Sequence, residues 1–77
     1  MKLTRIEGTL ILNLTSTSSI SFKEEWIEQF RQLPLEEYGN FIRKSVYPAL
    51  SDKDRWAWNK IAVSNKGIRD AVEEFAE

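Results

Sequence analysis

Two tryptophans and four basic residues stand close together in residues 55–69. Trp56 and Trp58 are separated by one alanine, and no acidic residue lies within this segment. On a helix, side chains two residues apart point about 200° away from each other, so both indoles cannot lie on one buried stripe. We therefore predict that one ring stays near the surface. An exposed tryptophan among cations is typical of a surface that binds an acidic protein or a phosphate backbone.

Trp56 is the predicted centre of this partner-binding surface. The other predicted members come from the same segment and are Arg55, Lys60, Val63, Lys66 and Arg69. A competing interpretation buries both indoles between helices and leaves the lysines merely solvated. It requires the N-terminal strand and the first two helices to cover the third helix on two sides. The exposure of Trp56 distinguishes the two interpretations.

Side chains suited to catalysis or metal binding are scarce. The chain has no histidine and no cysteine, which removes the usual zinc ligands, the commonest general base and the most reactive nucleophile. The three glycines are isolated, so no glycine-rich phosphate loop is present. The carboxylates fall opposite apolar stripes of predicted helices, where they face solvent. We predict a protein that is not an enzyme and needs no metal and no cofactor.

Composition indicates one small ordered domain over residues 1–77. The chain is 42% hydrophobic and 30% charged, with a net charge of −1, so no global basic field draws it to nucleic acid. No apolar run is long enough for a transmembrane helix, and the N-terminal apolar stretch is too short for a secretory signal. Because the chain has no cysteine, its fold contains no disulfide and does not depend on an oxidising compartment. We expect a cytoplasmic protein without a membrane span.

The elements that position these residues are predicted to form an α+β fold. Residues 3–15 alternate as a strand or as a hairpin that turns at Glu7 and Gly8. Residues 21–24 have the pattern of a capping box, which predicts that the first helix begins there. The polar residues 15–19 before it form either a connector or an extension of the strand. The fold is then an N-terminal hairpin or single strand packed on three to four short helices, predicted at 22–33, 35–47, 52–63 and 66–76. The last two helices are either separate or one long bent helix.

Residues 62–72 resemble the turn and the start of the recognition helix in helix-turn-helix regulators. A small residue, a hydrophobic residue and a serine precede a helix, as in that motif. The resemblance implies that segment 55–76 binds DNA. In that case Ser64, Asn65, Lys66 and Arg69 face the nucleic acid.

The order of strand, helix and a second helix containing residues 40–44 also resembles ribbon-helix-helix proteins. Those proteins dimerise through paired strands whose outward polar residues enter the major groove, a role that Asn13 and Thr15 would fill here. An open edge strand invites pairing even without DNA. We therefore include a homodimer formed through strand 10–15 among the expectations.

The sequence most favours a small non-enzymatic binding protein that modulates or inhibits a protein or ribonucleoprotein partner. Its small size, absent catalytic residues and surplus aromatics match the style of phage or mobile-element inhibitors. A small DNA-binding transcriptional regulator is the first alternative, with nucleic acid as its partner. A structural subunit that forms homodimers is the second.

Overall fold

The chain begins with a β-hairpin. A computed structural model describes residues 1–75, in which β1 (Lys2–Ile6) pairs antiparallel with β2 (Thr9–Asn13). Glu7 and Gly8 form the connecting turn with φ angles of 50° and 80°. Positive φ at both central residues is the conformation of a type I′ turn, whose twist matches that of the two strands. Of the two predicted alternatives, a single strand or a hairpin that turns at Glu7 and Gly8, the structure shows the hairpin.

A third strand, β3 (Ser19–Phe22), pairs antiparallel with β2, so the sheet has the order β1-β2-β3. This strand occupies the predicted start of the first helix. The predicted capping box at residues 21–24 is wrong, because Ser21 belongs to β3 and the helix begins after Lys23 without a side-chain cap. The physical reason is the two-residue alternation of Ile20 and Phe22, which buries both side chains on one face of the sheet.

The described chain after β3 is mainly helical. Helix α1 is Glu24–Gln32, α2 is Tyr38–Phe41, α3 is Asp52–Ile61 and α4 is Asn65–Glu74. The predicted helix 35–47 is an irregular helical segment in which α2 lies between the 3₁₀ turn Leu35–Glu37 and the π-helical turn Ile42–Val46. A second 3₁₀ turn, Tyr47–Ala49, contains Pro48 and ends this segment. The predicted end of the last helix, at residue 76, lies outside the described residues.

Two serines and one left-handed residue set the boundaries of α3 and α4. The hydroxyl of Ser51 accepts a hydrogen bond from the Asp54 N–H at 3.2 Å, and Ser64 accepts one from the Gly67 N–H at 3.0 Å. Such caps satisfy backbone donors that a helix start otherwise leaves unpaired. Ala62 has a φ of 56° and ends α3. The two helices are therefore separate, and the alternative of one long bent helix is wrong.

The helices cover one face of the sheet. Leu3, Leu10, Leu12, Ile20 and Phe22 project from that face and are buried. The remaining core residues come from Leu14 after β2 and from the later part of the chain, namely Trp26, Ile27, Phe30, Tyr38, Val46, Leu50, Trp58, Ile68, Ala71 and Val72. This arrangement confirms the predicted α+β class. Within residues 1–75 no helix combines the length and the apolar character that crossing a membrane requires.

The middle position of β2 bears on the predicted homodimer. Residues 10–13 hydrogen-bond to β1 on one side and to β3 on the other. A strand with both edges paired offers no row of free backbone groups to a second copy. The expected homodimer through strand 10–15 is therefore not supported.

Tyr38 provides a pH-dependent test of the core. Its hydroxyl donates a 2.7 Å hydrogen bond to the Phe30 carbonyl. Burial raises the pKa of Tyr38 above its ordinary value of 10.0; the Arg69 charge lowers it and the Glu73 charge raises it. The unfolded chain therefore loses this proton at lower pH than the folded chain, and stability falls as pH rises above about 10.

We expect Tyr38→Phe to lower the free energy of unfolding by about 1 kcal/mol at neutral pH, because it removes one buried hydrogen bond. We also expect the variant to lose less stability than the parent between about pH 9 and pH 11. Urea unfolding at each pH measures both effects. Equal alkaline losses in the two proteins would contradict the second expectation.

Candidate functional site

The two tryptophans of α3 point in different directions. Trp58 is 8% exposed and belongs to the core, whereas the Trp56 side chain is 63% exposed. The predicted divergence of the two indoles is confirmed, and the competing interpretation with both rings buried is wrong. A large apolar ring held on a helix surface is a ready contact for a partner.

Lys60 stands beside the exposed ring. It follows Trp56 by four residues, a spacing that puts two side chains next to each other on a helix. The Lys60 Nζ lies 4.5 Å from the centroid of the Trp56 ring, within cation–π range. The structure therefore brings together these two predicted site residues, an apolar ring and a positive charge.

Trp56 also forms one wall of a shallow groove of about 200 Å³ between α3 and the β2–β3 connection. The other lining residues are Thr17, Ser18, Ser19, Lys53 and Ala57. We call Lys53, Trp56, Ala57 and Lys60 the α3 patch, because helical spacing places them on one side of α3. A hydrogen bond of 3.4 Å from the Ser21 N–H to the Asp54 carboxylate joins β3 to α3 at this place.

Sequence reasoning missed Lys53 and the serine–threonine side of the groove. Lys53 precedes Trp56 by three residues, and that spacing on the predicted helix was a sufficient signal. Thr17, Ser18 and Ser19 had no such signal. They reach Trp56 only because β3 packs against α3.

Arg55 points its guanidinium into the chain rather than toward a partner. It donates hydrogen bonds to the carbonyl oxygens of Tyr47 at 3.2 Å and Pro48 at 3.1 Å, and to the Asp52 carboxylate at 3.2 Å. These bonds satisfy carbonyl groups at the end of the irregular helical segment, which α3 follows. Arg55 thus joins two helical elements.

The remaining predicted site residues lie outside the α3 patch. Val63 is partly buried and packs against the core. Lys66 is exposed in the first turn of α4, which packs on α1 and β1 rather than on the groove. The Arg69 Nε lies 3.8 Å from the Asp70 carboxylate and 3.9 Å from that of Glu73. Local acids therefore offset its charge.

Comparison of the chain with protein-family models, with curated proteins and with solved structures finds no match. Over residues 1–75, histidine, cysteine and acidic side chains form no group of three or more that could hold a metal ion. The chemistry that the α3 patch offers is therefore that of its own groups: an exposed indole, two ammonium groups and nearby hydroxyls.

Proposed function

We propose that this protein is a small non-enzymatic binding protein that docks on an acidic surface of a protein or ribonucleoprotein partner through the α3 patch. Trp56 is the central anchor, and Lys53 and Lys60 supply the complementary charge. By occupying that surface, the protein modulates or inhibits its partner, in the style of phage or mobile-element inhibitors. The proposed place of action is the cytoplasm.

The observation that carries this proposal is the 63% exposure of Trp56 on an otherwise regular helix. Tryptophan is among the residues most often responsible for a large part of the binding energy at protein interfaces. An apolar ring exposed to water contributes no hydrophobic stabilisation to the free protein. Burial of the same ring against a partner contributes hydrophobic free energy to binding.

The charges around the ring favour an acidic partner. Lys60 lies over the ring and Lys53 lies at the groove, and the described residues that line the groove include no acidic side chain. Asp52, four residues before Trp56, pairs with Arg55 at 3.2 Å, which offsets its charge. Charges of one sign at the edge of an apolar contact steer the approach of an oppositely charged surface and disfavour partners of like charge.

A DNA-binding regulator remains the alternative function. The exposed Ser64, Asn65 and Lys66 at the start of α4 favour it, since the start of a recognition helix contacts the major groove. The ion pairs of Arg69 with Asp70 and Glu73 count against it, because they reduce the charge available to phosphates. The overall charge of −1 also counts against it.

Affinity capture from a lysate of the native host tests the proposal. The tagged protein and its Trp56→Ala variant serve as baits, and mass spectrometry quantifies what each retains. We expect the substitution to weaken capture of a specific protein about thirtyfold or more, the effect of losing a binding residue worth at least about 2 kcal/mol. Circular dichroism should show both baits folded at the capture temperature, with melting temperatures that differ by no more than about 8 °C.

Ile6→Ala is the matched control. Ile6 is 58% exposed, so its removal takes a comparable large apolar side chain off another part of the surface. Equal losses for the two variants would indicate nonspecific adhesion and count against the proposal. Capture that disappears after nuclease treatment and falls steeply with salt, and that depends on Lys66 rather than Trp56, would support the DNA-binding alternative.

A further inference from the structure

Ser19, one of the residues that line the groove beside Trp56, carries a backbone donor as well as its side chain. Ser19 is the first residue of β3, and β3 is an edge strand of the sheet. The backbone groups of an edge strand alternate between its neighbour and the outside. Whether the Ser19 N–H faces the groove therefore depends on the alternation along β3.

Two observations direct the Ser19 N–H away from β2. The Ser21 N–H donates to Asp54 and so points away from β2, and the residue two positions earlier has the same orientation. Independently, the two-residue turn makes Ile6 and Thr9 a hydrogen-bonded pair, which by alternation directs the backbone groups of Leu10 and Leu12 toward β3.

The partners of Leu10 and Leu12 in β3 are Phe22 and Ile20. Those two residues therefore use their backbone groups on β2, and the backbone groups of Ser19 and Ser21 point outward. Ser21 meets the Asp54 carboxylate there. The Ser19 N–H, one repeat earlier, points outward from the same edge of β3, and Ser19 lines the groove together with Lys53 and Trp56.

We infer that this groove is a carboxylate-binding subsite for an acidic peptide segment of the partner, an inference that rests on the function proposed above. The Ser19 N–H and the Lys53 ammonium bind the carboxylate of one aspartate or glutamate side chain, and an apolar neighbour of that residue packs on Trp56. The hydrogen bond from the Ser21 N–H to the Asp54 carboxylate is an example within the chain of the same contact, a backbone N–H of β3 that donates to a carboxylate.

Charge and size support a carboxylate on a peptide as the occupant. A backbone N–H beside an ammonium group makes a charge-assisted hydrogen bond to a carboxylate. The groove of about 200 Å³ has room for a side chain but not for a second helix. Binding a nucleic-acid backbone depends on several phosphate contacts, whereas Lys53 is the one cationic residue among the described residues that line this groove. Phosphate shares the anionic chemistry, so the test includes it as a separate arm.

NMR titration with a capped tetrapeptide of sequence LELD tests the inference. Its uncharged counterpart LQLN and inorganic phosphate are the comparison ligands. We expect LELD at millimolar concentration to shift the Ser19 amide and the Trp56 indole resonances, and LQLN to shift neither. Lys53→Ala should weaken LELD binding about tenfold, the effect of losing one charge-assisted hydrogen bond.

Three further variants isolate the groups involved. Lys44→Ala removes an exposed lysine from the irregular helical segment and should leave LELD binding unchanged. Ser19→Pro removes the N–H at the first position of an edge strand, where proline is tolerated, whereas Ser19→Ala keeps it. Only the proline variant should lose binding, and the shifts in the unmodified chain remain informative if that variant does not fold.

No LELD binding, equal binding of LQLN, or an unchanged affinity in Lys53→Ala would overturn the subsite. A response to phosphate without a response to LELD would overturn the carboxylate assignment. These failures are distinct from failure of the proposed function. Capture that depends on Trp56 but not on Lys53 or on the Ser19 N–H would leave the function standing and remove only the subsite.

Discussion

Replacing Trp58 with alanine is expected to lower the free energy of unfolding by about 3–5 kcal/mol, the usual cost of truncating a buried tryptophan. The Trp58 side chain is 8% exposed and belongs to the hydrophobic core. A domain of this size typically gains only about 3–5 kcal/mol from its core, so we expect the variant to be largely unfolded at 25 °C. Urea unfolding, followed by circular dichroism, measures the effect.

Trp56→Ala is the control for this measurement, since it removes the same side chain from the same helix. We expect a loss of no more than about 1 kcal/mol, because the ring is 63% exposed and its cation–π contact with Lys60 lies at the surface. Similar destabilisation by the two substitutions would mean that Trp56 packs in the core. That outcome would also remove the basis of the proposed anchor.

Phe30→Ala is expected to cost about 3–5 kcal/mol as well. Phe30 is 1% exposed and contacts aromatic rings from three other positions. Its centroid lies 4.7 Å from Tyr38, 5.0 Å from Phe41 and 6.1 Å from Phe22. It thus joins α1 to β3 and to the irregular helical segment, and its removal leaves a cavity that these elements must share.

Phe30→Leu separates the two contributions of this ring. It keeps most of the buried volume but removes the aromatic pairs, so we expect a smaller loss of about 1.5 kcal/mol. Urea unfolding of both variants, with a check that the denaturant dependence is unchanged, makes the comparison. Phe30→Ala within about 1 kcal/mol of the parent would show that the ring does not organise the core.

Helix faces were predictable because they depend on local spacing. Ile68, Ala71 and Val72 recur at intervals of three and four, and all three are buried on α4. Ser51 is followed by acidic residues in the sequence, a pattern that predicts a helix start, and it caps the start of α3. The divergence of Trp56 and Trp58 follows from the same periodicity and needed no knowledge of the rest of the fold.

The first helix boundary was not predictable by local rules. Residues 21–24 match a capping box, but residues 21 and 22 also belong to the alternating pattern of a strand from Ser19 to Phe22. Local propensity does not choose between these two patterns, since a cap is worth only about 1 kcal/mol. The edge of β2 and the burial of Ile20 and Phe22 decided in favour of the strand.

The candidate site was likewise predictable from the sequence only in part. Spacing along α3 was enough to associate Lys60 with Trp56, but it also assigned Arg55 to the surface. Its guanidinium instead bonds to the carbonyl oxygens of Tyr47 and Pro48. The end of a helix always leaves carbonyl groups without intrahelical partners, but whether Arg55 reaches them depends on how the next helix folds back, which is a tertiary feature.

The order of residues alone determined the α+β class, the position of the turn if a hairpin formed, and which side chains share a helix face. These properties depend on neighbours within a few positions. Only the tertiary structure decided which of those faces stay open to water, and that Ser19, Lys53 and Trp56 border one groove. The physical reason is that such exposure depends on packing between β3 and α3, which are separated by about thirty residues of intervening chain.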